Sequence, residues 1–310
     1  MNPIQFYEFG KSRYFSITSL IGTIFNSDES YRGGTLAPNG KIYFAPSNST
    51  QILQLDPTTN TTTLVGSVLA STSYNYGPGV LAPNGKIYFS PANATQILQL
   101  DPSTNTTMLV GSVYEGQLKY RGSILAPNGK IYFTPLNATQ ILQLDPSTNT
   151  TMLVGSIYTG SGKYAGGTLA PNGKIYFAPS NATQILQLDP STNTTTLIGG
   201  ISDITDKYHG SVLALNGKIY FSPLNSTQIL QLDPTTNTTT LVGSVYSGSY
   251  KYFGGTLAPN GKIYFGTLYA KQILELKQVN NPNVIGQDAL IPTDLSTLAT
   301  SNYNKYYNKF

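Results

Sequence analysis

"LAPNGKIYFAPSNSTQILQLDPTTNTTTLVGS" (residues 36–67) decides the fold, because it returns almost letter for letter along the chain. The Asn of its Asn-Gly-Lys triplet falls at Asn39, Asn84, Asn128, Asn172, Asn216 and Asn260, in steps of 45, 44, 44, 44 and 44 residues. A period of this size means either propeller blades or paired helices. Each unit divides into four short β segments, in the first copy "GGTLAP", "KIYFAPSN", "TQILQLDP" and "TTTLVGSV", with turn residues between them. No amphipathic helix of useful length fits inside a unit. Four strands make one blade, so six units predict an all-β, six-bladed β-propeller of four-stranded antiparallel blades.

The turns agree with this reading. Asn39-Gly40 between two strands reads as a type I′ hairpin turn, with positive φ at both central residues. Pro38 cannot donate to a ladder and suits the end of the innermost strand. "LDPTTNT" (55–61) supplies the second hairpin, where Asp, Pro and Asn each have a turn role.

The ends suggest how the ring closes. "ITSLIGTI" (17–24) matches an outermost strand and arrives before the first full unit, whereas the sixth unit loses the pattern in "KQILELKQVNNPNVIG" (271–286). The N-terminal strand is therefore expected to complete the last blade of a propeller spanning residues 1–286. Closure through Val284–Gly286, or a seventh blade built from both ends, are the alternatives. Residues 287–310 leave the repeat as a short C-terminal tail. Thr293-Asp294 can start a short helix there, and the tail is expected to pack on the ring or to drive self-assembly by docking on a second copy.

Composition removes several function classes. The absence of Cys excludes disulfides, thiolate metal sites and a Cys nucleophile. One His without Cys leaves no zinc spacing. No Gly-rich phosphate loop leads a strand into a helix. The net charge of +4 is mild and its lysines are dispersed about one per unit, so no nucleic acid partner is expected. The N-terminus lacks the basic and apolar regions of a signal peptide, and no apolar run approaches the ~20 residues of a membrane span. The expectation is a cytoplasmic protein without membrane insertion, and with no cofactor and no metal.

Alternate turns of an up-and-down blade lie at opposite ends. The Asn-Gly-Lys and Asp-Pro-x-Thr-Asn hairpins share one nearly invariant face; the blade-to-blade segments and second-to-third-strand loops share the other, where the copies differ. A Tyr sits eight residues before each turn Asn, at Tyr31, Tyr76, Tyr120, Tyr164, Tyr208 and Tyr252. The residue after it varies: Arg32, Gly77, Arg121, Ala165, His209, Phe253. This slot leads into the innermost strand, so its side chains are expected near the mouth of the central channel, where loops on a rigid scaffold carry binding residues. A protein or glycan partner is expected on this face. The tyrosines either stack on sugar rings, as in a multivalent lectin, or fill the wedge between blades.

Catalysis has less support. Five of the fourteen acidic residues are the repeated turn aspartates Asp56, Asp101, Asp145, Asp189 and Asp233, which read as Asx-turn caps. His209, with Asp203 or Asp206 near it in sequence, would be the general base of a channel-mouth hydrolase, but its place in a blade-to-blade segment reads as an ordinary surface histidine. The lysines of the hairpins, from Lys41 to Lys262, read as solvated. The ten Asn-x-Ser/Thr sites, from Asn48 to Asn237, read as turn residues rather than glycosylation sites.

The repeated unit resembles the β-propeller repeats of the YVTN and NHL type, which share a "P-(D/N)-G-K-(I/V)-Y" hairpin and a following "V-x-x-(I/L)-D-P-x-T-N" segment. The resemblance covers roughly residues 17–286 and implies the fold rather than an activity. The near-identical copies, rich in Asn, Tyr, Lys and Ile, are also similar to repeat proteins of giant viruses that infect amoebae. That likeness implies a virion-associated or host-directed binding protein, located in the virion or the host cytoplasm. Lactonase-like propellers, the enzymatic relatives, hold calcium with channel-mouth Asp, Asn and Glu; those ligands find no matching positions in this sequence.

Overall fold

The computed structural model describes residues 21–22, 30–69, 73–202 and 204–278. They form six antiparallel sheets, each a consecutive up-and-down set of strands. In blade 1 the strands run, from the axis outward, over Tyr31–Leu36, Ile42–Pro46, Ile52–Asp56 and Thr61–Val65. Five sheets have four strands; among the described residues the sixth has three, over Tyr252–Leu257, Ile263–Thr267 and Leu274–Leu276. The chain is a six-bladed β-propeller.

The core lies between blades rather than inside them. One cluster joins Tyr43 and Ile52 of blade 1 to Ile87, Phe89, Leu98 and Leu100 of blade 2, and equivalent clusters fill the next four interfaces. The middle strands are therefore covered on both faces, which is why "IYF" is a continuous apolar run instead of an alternating one.

The first hairpin corrects the expected type I′ turn. Gly40 N–H donates to Ala37 O and Ala37 N–H to Lys41 O, and of the Asn39-Gly40 pair only Gly40 is left-handed, with φ 78°. This is a type I turn with Pro38 at its second position, followed by a glycine bulge. Pro38 decides the form, because its ring holds φ negative where a type I′ turn needs it positive. In the second hairpin Asp56 Oδ1 accepts from Thr58 N and Oγ1, and Asn60 is left-handed with φ 56°, so the turn reading of these residues holds.

The Tyr of each "KIYF" ties its blade to the next. Tyr132 Oη accepts from Asn128 Nδ2 at 3.0 Å and Gln143 Nε2 at 2.8 Å, and lies within donating reach of Pro190 O and Asn193 Oδ1 in the turn of blade 4. Asn128 Nδ2 also donates to Pro190 O. The same clamp joins Tyr43 to Pro102 and Asn105, Tyr88 to Pro146 and Asn149, and Tyr176 to Pro234 and Asn237.

The expected closing strand and C-terminal tail lie outside the described residues, except for Ile21 and Gly22. A Cβ on Gly22 would lie 2.5 Å from Thr62 Cγ2, just as one on Gly66 would lie 2.5 Å from Thr107 Cγ2. Gly22 thus stands where an outermost strand ends, one blade ahead of blade 1.

Two comparisons test this construction. Tyr132→Phe strips a buried hydroxyl from its partners and should cost about 1–3 kcal/mol, while Tyr264→Phe, whose hydroxyl bonds Asn260 in an exposed setting, should cost much less; urea melts measure both. Gly129→Ala and Gly210→Ala both force alanine into positive φ, costing about 1–2 kcal/mol. Only Gly210 packs against backbone, Gly254 Cα lying 3.1 Å from the added Cβ, so its variant should be the less stable of the two.

Candidate functional site

The residue after each inner-strand Tyr is steered by a bulge. In blade 5 the register jumps from Tyr208↔Pro223 to Ser211↔Phe221, and the bulged Gly210 is left-handed with φ 81°. Blade 2 replaces that glycine with Pro78, and its slot residue is the bare Gly77.

Four of the expected site residues come together at the channel mouth. His209 of blade 5 stacks on Phe253 of blade 6, ring centroids 3.8 Å apart at 23°. Arg121 of blade 3 reaches across the axis to the same ring, its Cζ 5.7 Å from the centroid. Arg32 of blade 1 lies over Tyr74, 4.9 Å from its centroid. Burial, then the positive charges of Arg121 and Arg32, hold the His209 pKa well below the ordinary imidazole range, so the ring is neutral. A hydrogen bond from the ring to its own backbone opposes that shift. His209 Nε2 is buried without a hydrogen-bond partner, so Nδ1 makes that bond and Nε2 carries the lone pair.

This corrects the expectation of a surface histidine: His209 belongs to the innermost strand and is only 9% exposed, because the bulge turns it inward onto Phe253. Asp206 does not serve it. Its carboxylate accepts from Ser180 Oγ and Tyr250 Oη instead.

The inner-strand tyrosines are placed differently. Tyr76, Tyr120, Tyr164, Tyr208 and Tyr252 are buried in the inter-blade clusters, and Tyr31 is half-buried. Tyr208 Oη accepts from Ser226 Oγ at 2.7 Å. Their rings fill the wedges and present no stacking face to a sugar.

The invariant face is charge-paired, which the reading of solvated lysines missed. Lys41, Lys86, Lys130 and Lys174 lie 3.6–3.7 Å from the turn aspartates of their own blades, and Lys262 lies 3.0 Å from Glu275. A basic ring for a polyanion is thereby neutralised.

Sequence reasoning also missed the frame of the variable face. Lys119, Lys163, Lys207 and Lys251, each just before a slot Tyr, are buried, and burial lowers their pKa. Lys163 Nζ donates to the carbonyls of Leu136, Asn137 and Gly160, so one ammonium ties a blade-to-blade loop to the preceding blade. Asn137 joins the same tie: its Nδ2 donates to Gln117 O and its Oδ1 accepts from Gly162 N. The signal was the recurrence of Lys at one offset in four copies. Blade 6 puts Tyr269 where the others have this Asn; it is 75% exposed and meets Tyr250 edge-on at 6.0 Å.

No family model and no curated protein matches the chain. Solved structures do. Virginiamycin B lyase from Staphylococcus aureus aligns with a TM-score of 0.69 at 15% identity, over 82% of this chain and 83% of that one. A streptogramin B lyase aligns at 0.65 and 17%, over 82% and 85%. Kuenenia stuttgartiensis hydrazine synthase aligns at 0.61 and 11%, over 79% and 83%. The likeness is one of fold. Proteins of such different names share the propeller scaffold, so function must be argued from the site.

Among the described residues no group of three or more His, Cys, Asp or Glu side chains is placed to hold a metal ion. No described helix is long and apolar enough to cross a membrane. What the mouth offers is two guanidinium groups, aromatic faces and one buried acceptor.

The buried tyrosines set a pH test. Burial raises the hydroxyl pKa of Tyr76, Tyr120 and Tyr164 far above the ordinary value, so the stability they contribute is fully present below about pH 10 and is lost as pH rises toward their folded-state values. The buried lysines, with lowered pKa, act in the opposite sense. Tyrosinate absorbance should rise in two steps: exposed tyrosines near pH ~10, the buried set only when the β circular dichroism collapses. One step for all 23 tyrosines with the fold intact would contradict the packing described.

Proposed function

We propose that this protein is a non-enzymatic binding propeller that recognises its partner on the variable face, centred on Arg32, Arg121, His209 and Phe253. One observation carries the reading: the copies differ most at the slot that the inner-strand bulge turns toward the axis, and the chemistry-bearing side chains of that slot converge there. Arg and aromatic residues are the types that anchor recognition sites. The separation of His209 from Asp206 argues against a general base of the ordinary His–carboxylate kind. The similarity of the repeats to those of amoeba-infecting giant viruses supports a place in the virion or against a host protein. Self-assembly through residues 287–310 belongs to the same proposal.

The test compares two triple variants. Arg32→Ala/Arg121→Ala/Phe253→Ala should lose partners captured by the wild type from amoebal extract. Lys86→Ala/Lys130→Ala/Lys174→Ala, on the opposite face, should keep them. The reverse pattern would move the site to the other face, and turnover of any captured small molecule would reinstate an enzyme.

A further inference from the structure

His209 and the two arginines pose opposite demands. Two positive charges from blades 1 and 3 approach one imidazole closely enough for both to disfavour its protonation. A guanidinium seated on a ring uses its face there and hydrogen-bonds through its edge, and both arginines sit on rings. Such a pair selects an anion. His209 Nε2, buried and unpartnered, selects a hydrogen-bond donor. A cation is repelled by the arginines. A fully ionised carboxylate or sulfate satisfies them but can only accept, and leaves Nε2 without a donor. A single ligand meets both demands when it is an anion that keeps an O–H.

We propose that the channel mouth binds a protonated tetrahedral oxyanion, of which hydrogen phosphate is the simplest, with Arg32 and Arg121 holding its charge and His209 Nε2 accepting its hydroxyl. The proposal rests on the binding reading above and names the ligand class of that site. Asn, Gln and hydroxyl side chains bind phosphate and sulfate alike; an acceptor locked in the neutral state tells them apart. Phe253, 43% exposed, borders the site and offers a face to an aryl ester.

The chain has one histidine, so its imidazole gives a single pair of nitrogen resonances. Adding sodium phosphate to the wild-type protein at neutral pH should shift the Nε2 resonance in the direction of hydrogen-bond acceptance. Sodium sulfate at matched sodium should leave it in place. Calorimetry should find phosphate bound roughly tenfold more tightly than sulfate, the discrimination of one buried hydrogen bond. His209→Phe retains an aromatic ring against Phe253 and should bind the two anions equally. Arg32→Ala/Arg121→Ala should bind neither.

The wild-type comparison needs no variant to fold. Equal affinity for the two anions, or phosphate binding that leaves Nε2 unmoved, overturns the proposal. Phenyl phosphate near pH ~6, where a monoester keeps part of its second proton, identifies the source: tighter binding than phosphate marks an ester on a larger partner, weaker binding the free anion. If the anions fail while partner capture still depends on Arg32, Arg121 and Phe253, the ligand class falls and the binding face stands. If capture fails as well, both fall.

Discussion

The tyrosine hydroxyl shared between blades is the interaction on which the rest depends. It takes hydrogen bonds from an Asn and a Gln of its own blade and meets the carbonyl and amide oxygens of the following turn. A polar knot in a buried wedge is stable only when all its members are present. Because those members sit on two adjacent copies, a change in one copy must be answered in the next. That coupling is a physical reason for copies so alike. It also explains where uniformity stops. Blade 6 lacks the Asp-Pro-x-Thr-Asn turn, and the Tyr220 of blade 5 retains only its bond from Asn216 among those described.

The two faces divide the labour. On one, hairpin lysines are matched by aspartates of the same blade, giving a surface of paired charge. On the other, lysines are withdrawn into the frame and arginines occupy the axis. A scaffold of this kind confines chemical individuality to a few slots, so that one Arg, one His and one Phe at equivalent positions make an asymmetric site inside a nearly symmetric ring.

Much of this was legible in the residues. The 44-residue period, the turn chemistry and the strand vocabulary led to the six blades, and the variable slot after each Tyr led to the mouth. The turn type at Asn39-Gly40 was misread because Pro38 was assigned to the strand rather than to the turn. His209 was misplaced because sequence shows its neighbours along the chain and not Phe253, which comes from the next blade. The carbonyl-bound lysines were invisible for a related reason. Lysine is usually solvated, and only the meeting of two loops reveals three carbonyls aimed at one ammonium. Where contacts stay within a unit, pattern suffices; where they cross units, the partner must be seen.

Those lysines have a consequence for how the molecule meets its medium. Exposed ion pairs such as Lys86–Asp101 are weakened by dissolved salt, whereas a buried ammonium held by neutral carbonyls is screened far less. In brine the invariant face loses its electrostatic pairing while the variable face keeps its frame. The surface built to vary in composition is thus the one whose shape is insulated from changes in ionic environment.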